Sequence, residues 1–373
     1  MVLRAWAARC AAWMSLVSML AALVPTPAGA QQLSDVDVLA RLVAVPGVSG
    51  SEGPVRREIR SLLPSWAHPV TDAMGNLVLT VGHGEPRTLF IAHMDEVGFV
   101  VSGITPDGYL RLTPVGGFFP ETFASRIVNI ETAHGVVKGV VATKSIHLTH
   151  GAPPPLDQQT LFVDVGADSA AQVARMGIRI YDTVSYEKHL QRLAGTRIAG
   201  RSFDDRFGDT TLVQAVRAID PARVHGTIVF AWSVQEEVGT RGAAAIARSQ
   251  VFDDVIPVDM FVTSDTPLES RVEGYAPLGK GFVMRAWDQS NISDIALVRR
   301  LAAWARAQGI AVQEGVTGGG NDGSEFWSER TKVLPIGIPL RYSHAVEVGD
   351  SRDLHGIVRY VEALATRGVP ASP

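Results

Sequence analysis

Cysteine is almost absent from this chain: Cys10 is the only one in 373 residues. That excludes a disulfide framework and any thiolate metal site, so a bound metal must be held by histidine and carboxylates. Charge is also sparse, at 19% of residues, and no long basic run occurs. Binding to nucleic acid leaves such a run as its footprint, so no nucleic-acid partner is expected. Low-complexity tails and internal repeats are missing as well. What is abundant is apolar residues, at 46%, enough for a large core and too many for global disorder. The length suits two or more domains.

The first thirty residues differ from the rest. Arg4 and Arg9 precede an uncharged apolar stretch over residues 11–24, followed by Pro25, Pro27 and the small residues Ala28, Gly29 and Ala30. This layout predicts a secretory signal over residues 1–30, cleaved after Ala30, and an exported protein, periplasmic or secreted. The stretch is short for a stable membrane span, so a retained anchor is the alternative. The arginines are not adjacent, which does not support a twin-arginine signal. Cleavage would remove Cys10, and would take the formal net charge from −4 to −6.

Farther along, apolar runs alternate with helical periodicity. Helical faces are expected at Val36, Leu39, Leu42 and Val43, and at Val55, Ile59, Leu62 and Leu63. Others are Leu212, Val213, Val216 and Ile219; Ile295, Val298, Leu301 and Ala302; and Leu354, Ile357, Val358 and Val361. Strands are expected at residues 76–81, 88–92, 227–232, 260–263 and 333–338. The alternation predicts an α/β fold. Residues 103–197 instead carry short β-like runs broken by Gly and Pro, and read as a small β-rich domain. It is inserted into an α/β domain made of residues 31–102 and 198–373.

Five positions just after or beside apolar runs carry residues able to do chemistry: His93, Asp204-Asp205, Glu236-Glu237, Asp265 and His344. Ligands of open α/β sheets bind beyond the carboxyl ends of strands. Taken singly, each has a plain structural explanation, such as a helix cap for the aspartate pair. Together, two histidines and several carboxylates suit two divalent cations, zinc first, with cobalt or manganese able to substitute. Such ions, about 3.5–4 Å apart, polarise a carbonyl and activate a water, while a further carboxylate moves the proton. Alternate strand residues point the same way, so Asp95 is placed to accept the other N–H of His93.

With these residues in view, the chain resembles the M42 family of metallo-aminopeptidases, which includes glutamyl aminopeptidases and the tetrahedral TET peptidases. The resemblance runs through nearly all of the chain after the leader. It is carried by VPGVSG (45–50), DAMGN (72–76), HMDEVGF (93–99), LFVDVG (161–166), DDR (204–206), QEEVG (235–239), GGGND (318–322) and RYSHAVE (341–347). It implies a mixed-sheet di-metal peptidase domain with an inserted barrel-like domain that helps pair subunits. It also implies peptide substrates and a homo-oligomer, in relatives a hollow dodecamer. In the implied site, His93 and Asp265 hold one metal, Glu237 and His344 the other, Asp204 bridges them, and Glu236 is the general base. Asp259 lies nearby, but Asp265 is preferred because it ends its apolar run, as the family ligand does.

Three departures stand out. An export signal is unusual for a mostly intracellular family. Asn321 stands where the family usually has threonine, so the pocket wall is expected to differ. No role carries over from the family to His147 and His150, which read as loop histidines. The glycine run 318–320 lacks the Lys-Ser/Thr of a phosphate loop and reads as a tight turn. The leading expectation is an exported metallo-aminopeptidase. The alternatives are another di-metal amide hydrolase (a deacylase or carboxypeptidase), a glycosidase, and a non-catalytic binding protein. The core motifs leave the preferred N-terminal residue open.

Overall fold

Parallel strands covered on both faces read as unbroken apolar runs, and the runs around residues 90 and 230 become the centre of a sheet. The computed structural model describes residues 33–151 and 161–370. The leader expected over residues 1–30 lies outside them. The fold is that of the unit beginning at Asp35.

Helices α1 (Asp35–Ala44) and α2 (Gly53–Leu62) precede strands β1 (Val70–Thr71), β2 (Leu77–Gly82) and β3 (Arg87–His93). Next come β4 (Gly98–Ile104), β5 (Leu110–Val115), β6 (Ile127–Thr132), β7 (Gly135–Val141), β8 (Phe162–Asp164), α3 (Ala170–Arg175) and β9 (Thr183–Tyr186). After β10 (Gln191–Arg192), β11 (Arg197–Gly200), α4 (Phe203–Ala218), β12 (Thr227–Ser233) and α5 (Arg241–Ser249) the chain enters β13 (Asp254–Val262). It ends with β14 (Phe282–Trp287), α6 (Ile295–Ala307), β15 (Val312–Val316), β16 (Lys332–Val333), β17 (Ile336–Leu340), β18 (Glu347–Asp350) and α7 (Ser351–Arg367).

The main sheet is mixed, in the order β1-β2-β12-β3-β13-β17-β14-β15, with β16 beside β13. Its four central strands, β12, β3, β13 and β17, are mutually parallel, so their carboxyl ends share one edge. Both faces are covered. Leu89, Ile91, Val229, Ala231 and Val255 pack with Ala243 and Ile246 of α5. The alternate residues Phe90, Phe230 and Trp232 are equally buried. Phe90 stacks on Phe230 with centroids 5.6 Å apart, and Trp232 Nε1 donates to Asp209 O of α4 at 3.4 Å. Strand alternation thus divides the side chains between two helical layers. Most of the expected helical faces are buried. Ile295 is an exception at 45% exposed, and Leu297 takes the inward position.

Strands β4, β5, β8, β7, β6 and β9 close into an antiparallel barrel. Phe99, Leu112, Phe123, Val128, Ile130, Val163 and Val184 fill it. Closure leaves no unpaired edge, which lets a domain of short strands stand alone. The barrel begins at Gly98 and ends at Tyr186, so it both starts and finishes ahead of the expected bounds of 103 and 197. Only four residues separate β3 from β4, so composition shows no break there. Strand β11 pairs instead with β10 on one side and β18 on the other, in a separate small sheet. None of the helices in the described residues is long and apolar enough to cross a membrane.

A buried ion pair ties the return from the barrel to the strand that leaves for it. Lys188 Nζ lies 2.5 and 2.6 Å from the two oxygens of Glu96 and donates to Val45 O at 3.1 Å. Glu96 also accepts from Gly47 N at 2.8 Å and from the Ser202 hydroxyl. Burial opposes charge on Glu96, but Lys188 and Arg206 hold its carboxyl down at about 2. Burial pulls Lys188 down to about 8 despite that partner.

Within the barrel, Glu131 accepts from Thr183 Oγ1 at 3.1 Å and Ser185 Oγ at 3.3 Å. Burial, with Glu96 adding repulsion, pushes its carboxyl from 4.5 up to about 7. The folded state therefore keeps a proton that the unfolded chain releases, and stability contributed by this group falls as pH rises from 4.5 to about 7. The variant E131Q is expected to lack that fall. Urea midpoints of wild type and variant should diverge in the variant's favour between pH 5 and pH 7.5, within about that window. A constant difference would contradict the assignment.

Candidate active site

The shared carboxyl edge of the central strands gathers the acids. His93 ends β3 and pairs in register with Ser233, the last residue of β12. Beyond Ser233 the chain turns sharply. Gln235 takes a left-handed φ of 57°, its N–H donating to Glu52 Oε1 at 3.2 Å. That turn presents Glu236 and Glu237 to the cleft. Asp95 fixes them: its Oδ1 accepts from Glu236 N at 2.9 Å and its Oδ2 from Glu237 N at 3.1 Å and Ser49 Oγ at 2.6 Å. His344 sits beyond β17 at φ 61°, its N–H donating to Glu347 Oε1 at 3.0 Å.

Asp204 stands at the head of α4, where it and Asp205 depart from helical angles before the helix settles. Gly208 N donates to Asp205 Oδ1 at 2.8 Å, and any Cβ at Gly208 would collide with that carboxyl. The two Asp204 oxygens face two histidines. His93 Nε2 lies 3.1 Å from Oδ1, and His344 Nε2 lies 3.1 Å from Oδ2. His344 Nε2 is also 3.4 Å from Glu237 Oε2, and His93 Nε2 is 3.9 Å from Glu236 Oε2.

Two groups of potential ligand atoms result, each with its atoms within 4.8 Å of one another: His93, Asp204 and Asp259, and Asp204, Glu237 and His344. They share Asp204. Four of the five residues expected to hold metal come together, and Asp265 does not. Its Oδ2 pairs with Arg341 Nη2 at 2.6 Å and accepts from Leu278 N at 3.2 Å. Asp259 takes the place expected for Asp265. The reason is the length of β13, which runs from Asp254 to Val262, so the apolar run does not begin at Met260. That strand pairs with β3 through Pro257 and with β17 from Val258 on. The two neighbours part there, and Asp259 stands in the gap. A single acid inside an unbroken apolar run, two residues after a proline, was the available signal.

Asp95 differs in detail from its expected role. His93 Nδ1 meets the Asp95 main-chain oxygen at 3.2 Å, with the carboxylate at 3.6 Å. His344 Nδ1 likewise meets Gly117 O, from the loop after β5 of the barrel. Carbonyl oxygens only accept, so both rings carry the proton on Nδ1 when neutral and turn a free Nε2 towards Asp204.

The cleft is dominated by acid. Burial, with repulsion from Asp204, pushes Glu237 up to about 8. Burial, then Asp204, raises Asp259 to about 6 against the pull of Arg285. Glu236 is raised well above its ordinary value by burial and by Asp259, Glu237 and Asp322. Burial also resists ionisation of Asp204, but its contacts with His344 and His93 hold it well below the usual range. Glu237 Oε1 is buried without a hydrogen-bond partner among the described residues. A desolvated nest of carboxylates, two open imidazole nitrogens and an orphaned oxygen fit divalent cations, which relieve the repulsion and supply the missing partners.

Arg285, which was not anticipated, and the glycine turn and Asn321, which were, close the cleft. Arg285 Nη1 lies 3.7 Å from Asp259 Oδ2, and its Nη2 donates to Gly320 O at 2.8 Å, holding the glycine turn 318–320 over the site. Asn321 points inward: its Nδ2 donates to Asp288 Oδ2 at 2.7 Å and its Oδ1 accepts from Gly323 N at 2.8 Å. The wall is the glycine backbone, with Asn321 as its buried footing. Asp322 Oδ2 accepts from Ser233 Oγ at 2.5 Å beneath β12. His147 and His150 are exposed and belong to neither ligand group.

Known proteins share this sequence pattern and fold. The sequence model of the family described as M42 glutamyl aminopeptidase matches residues 75–359. The lysyl aminopeptidase of Pyrococcus furiosus is 30% identical over 338 residues, 88% of this chain and 96% of that one. The TET1 peptidase of Pyrococcus horikoshii, which can assemble into a tetrahedron or a large octahedral shell, superposes with a TM-score of 0.84 at 35% identity, covering 90% of this chain and 100% of that one. The dodecameric PhTET1-12s gives 0.83 at 36% identity, covering 89% and 99%.

Cations that bind only the folded state should raise its stability, by about 2.7 kcal/mol at a hundredfold excess over the dissociation constant. Chelation is therefore expected to lower the thermal midpoint. D259N should shrink that shift, while D265N should keep it. The reverse pattern, read by differential scanning calorimetry, would restore Asp265 as a ligand.

Proposed function

The chain belongs to the M42 glutamyl aminopeptidase family, and from that premise we propose that it is an exported, two-metal aminopeptidase in which Glu236 carries the proton. Aminopeptidase activity, and with it hydrolysis of peptide bonds, follows from the family. The finer reading rests on one observation: two ligand groups share Asp204, and Glu236 belongs to neither.

His93 and Asp259 would hold one divalent cation, Glu237 and His344 the other, with Asp204 between them. Zinc suits this nitrogen and oxygen donor set, and cobalt or manganese could substitute. Such a pair, when bound, polarises the scissile carbonyl and lowers the pKa of water.

The protein's own residues do the rest. Glu236 takes the proton of the attacking water and returns it to the leaving amine. Asp95 locks both glutamate backbones, so neighbouring carboxyls keep separate tasks.

The layout of residues 1–30 supports export. Exposed apolar side chains on and beside the barrel, Ile127, Val136, Val140, Ile146 and Leu148, at 46–83% exposed, support a homo-oligomer built through it. The assemblies of the two TET structures favour a dodecamer.

With metal supplied, E236Q should lose about a thousandfold in kcat while metal analysis still finds two ions per chain. Unchanged turnover would remove Glu236 as the base. A deacylase or carboxypeptidase would cleave N-acetylated peptides, and this enzyme is expected to leave them intact.

A further inference from the structure

A second cavity opens beside the metal cleft. It encloses about 770 Å³ and shares Val262, Gly318 and Ser343 with the lining of the cleft, so the two are continuous. Phe119, Val262 and Tyr342 give it apolar walls. Among the described residues, two carboxylates line it, Glu269 and Glu273, and no lysine, arginine or histidine does. Arg271 lies between them in sequence, but its guanidinium is turned over the Tyr275 ring, 5.1 Å from the centroid, and neither of those residues lines the cavity.

The loop bearing these acids is anchored at its base. Ser264 N donates to Gly274 O at 2.9 Å, and Gly274 N donates to Val316 O at 3.0 Å. Glu273 is thus attached to a fixed point. A further group in the same lining awaits a partner: Ser264 is 7% exposed, and its Oγ has no hydrogen-bond partner among the described residues.

We propose that this cavity receives the side chain of the substrate's N-terminal residue, and that Glu269 and Glu273 select a basic one, lysine or arginine. The assignment rests on the aminopeptidase reading above. A lysine or arginine stem lies along apolar walls while its charged head reaches for carboxylates nearer solvent, and this cavity offers both parts. An acidic side chain would meet two like charges. Both glutamates are exposed, so the selection is modest and sensitive to salt.

Lysyl, norleucyl and glutamyl anilides separate the possibilities, because lysine and norleucine share a stem and differ in the ammonium. In low salt, kcat/KM for the lysyl substrate should exceed that for the norleucyl one by about 5- to 10-fold, with the glutamyl substrate lowest. The lysine advantage should shrink towards unity at about 1 M salt. It should also shrink towards unity in the double variant E269Q/E273Q. Norleucine equal to or above lysine, or a lysine advantage that survives both high salt and the double variant, overturns this assignment alone. Failure to cleave any of the three with metal supplied overturns the aminopeptidase reading, and this assignment with it.

Discussion

Asp204 faces an imidazole nitrogen on each of its two oxygens, and the site is arranged around that shared carboxylate. It is held at the start of α4, where the backbone departs from helical geometry. His93 arrives from β3 and His344 from beyond β17, on opposite sides of it. Around this axis Glu236, Glu237 and Asp259 are desolvated together, and burial raises all three above their ordinary values. Such crowding is unfavourable on its own terms. It becomes favourable when positive charge occupies the cleft, which is why the acids argue for cations more strongly than any single side chain does.

The supporting shell converts a collection of charges into a device with divided labour. Asp95 spends its carboxylate on the two backbone N–H groups of the glutamate doublet and its main-chain oxygen on His93. Gly117, from the barrel, orients His344. Arg285 braces Asp259 and the glycine turn together. The barrel is therefore part of the catalytic architecture as well as a candidate surface for assembly. The Lys188–Glu96 pair fastens its exit to the strand end that carries the site.

Most of this was legible in the sequence because the signals were local. Apolar runs ended at His93 and before Glu236, and parallel strands put such ends on one edge. The glutamates needed only their position after a strand. What was not legible depended on pairing partners. Asp259 was hidden because its apolar run reads as one strand, and the change of neighbour at Pro257 that opens a gap beside it is a tertiary event. Asp265, which ended the apolar run as it was read, is engaged by Arg341 instead. The barrel's first strand was blurred because its alternation continues that of β3 across four residues. Arg285 carried no signal, since its role lies in holding a backbone turn, whereas Asn321 was flagged as a change in the pocket wall and proves to be its buried footing.

The central claim is that one carboxylate serves two cations. Anomalous diffraction from crystals grown with zinc tests it most directly. The account predicts two peaks per chain, one among His93, Asp204 and Asp259 and one among Asp204, Glu237 and His344. A single peak, or a peak beside Asp265, would contradict it.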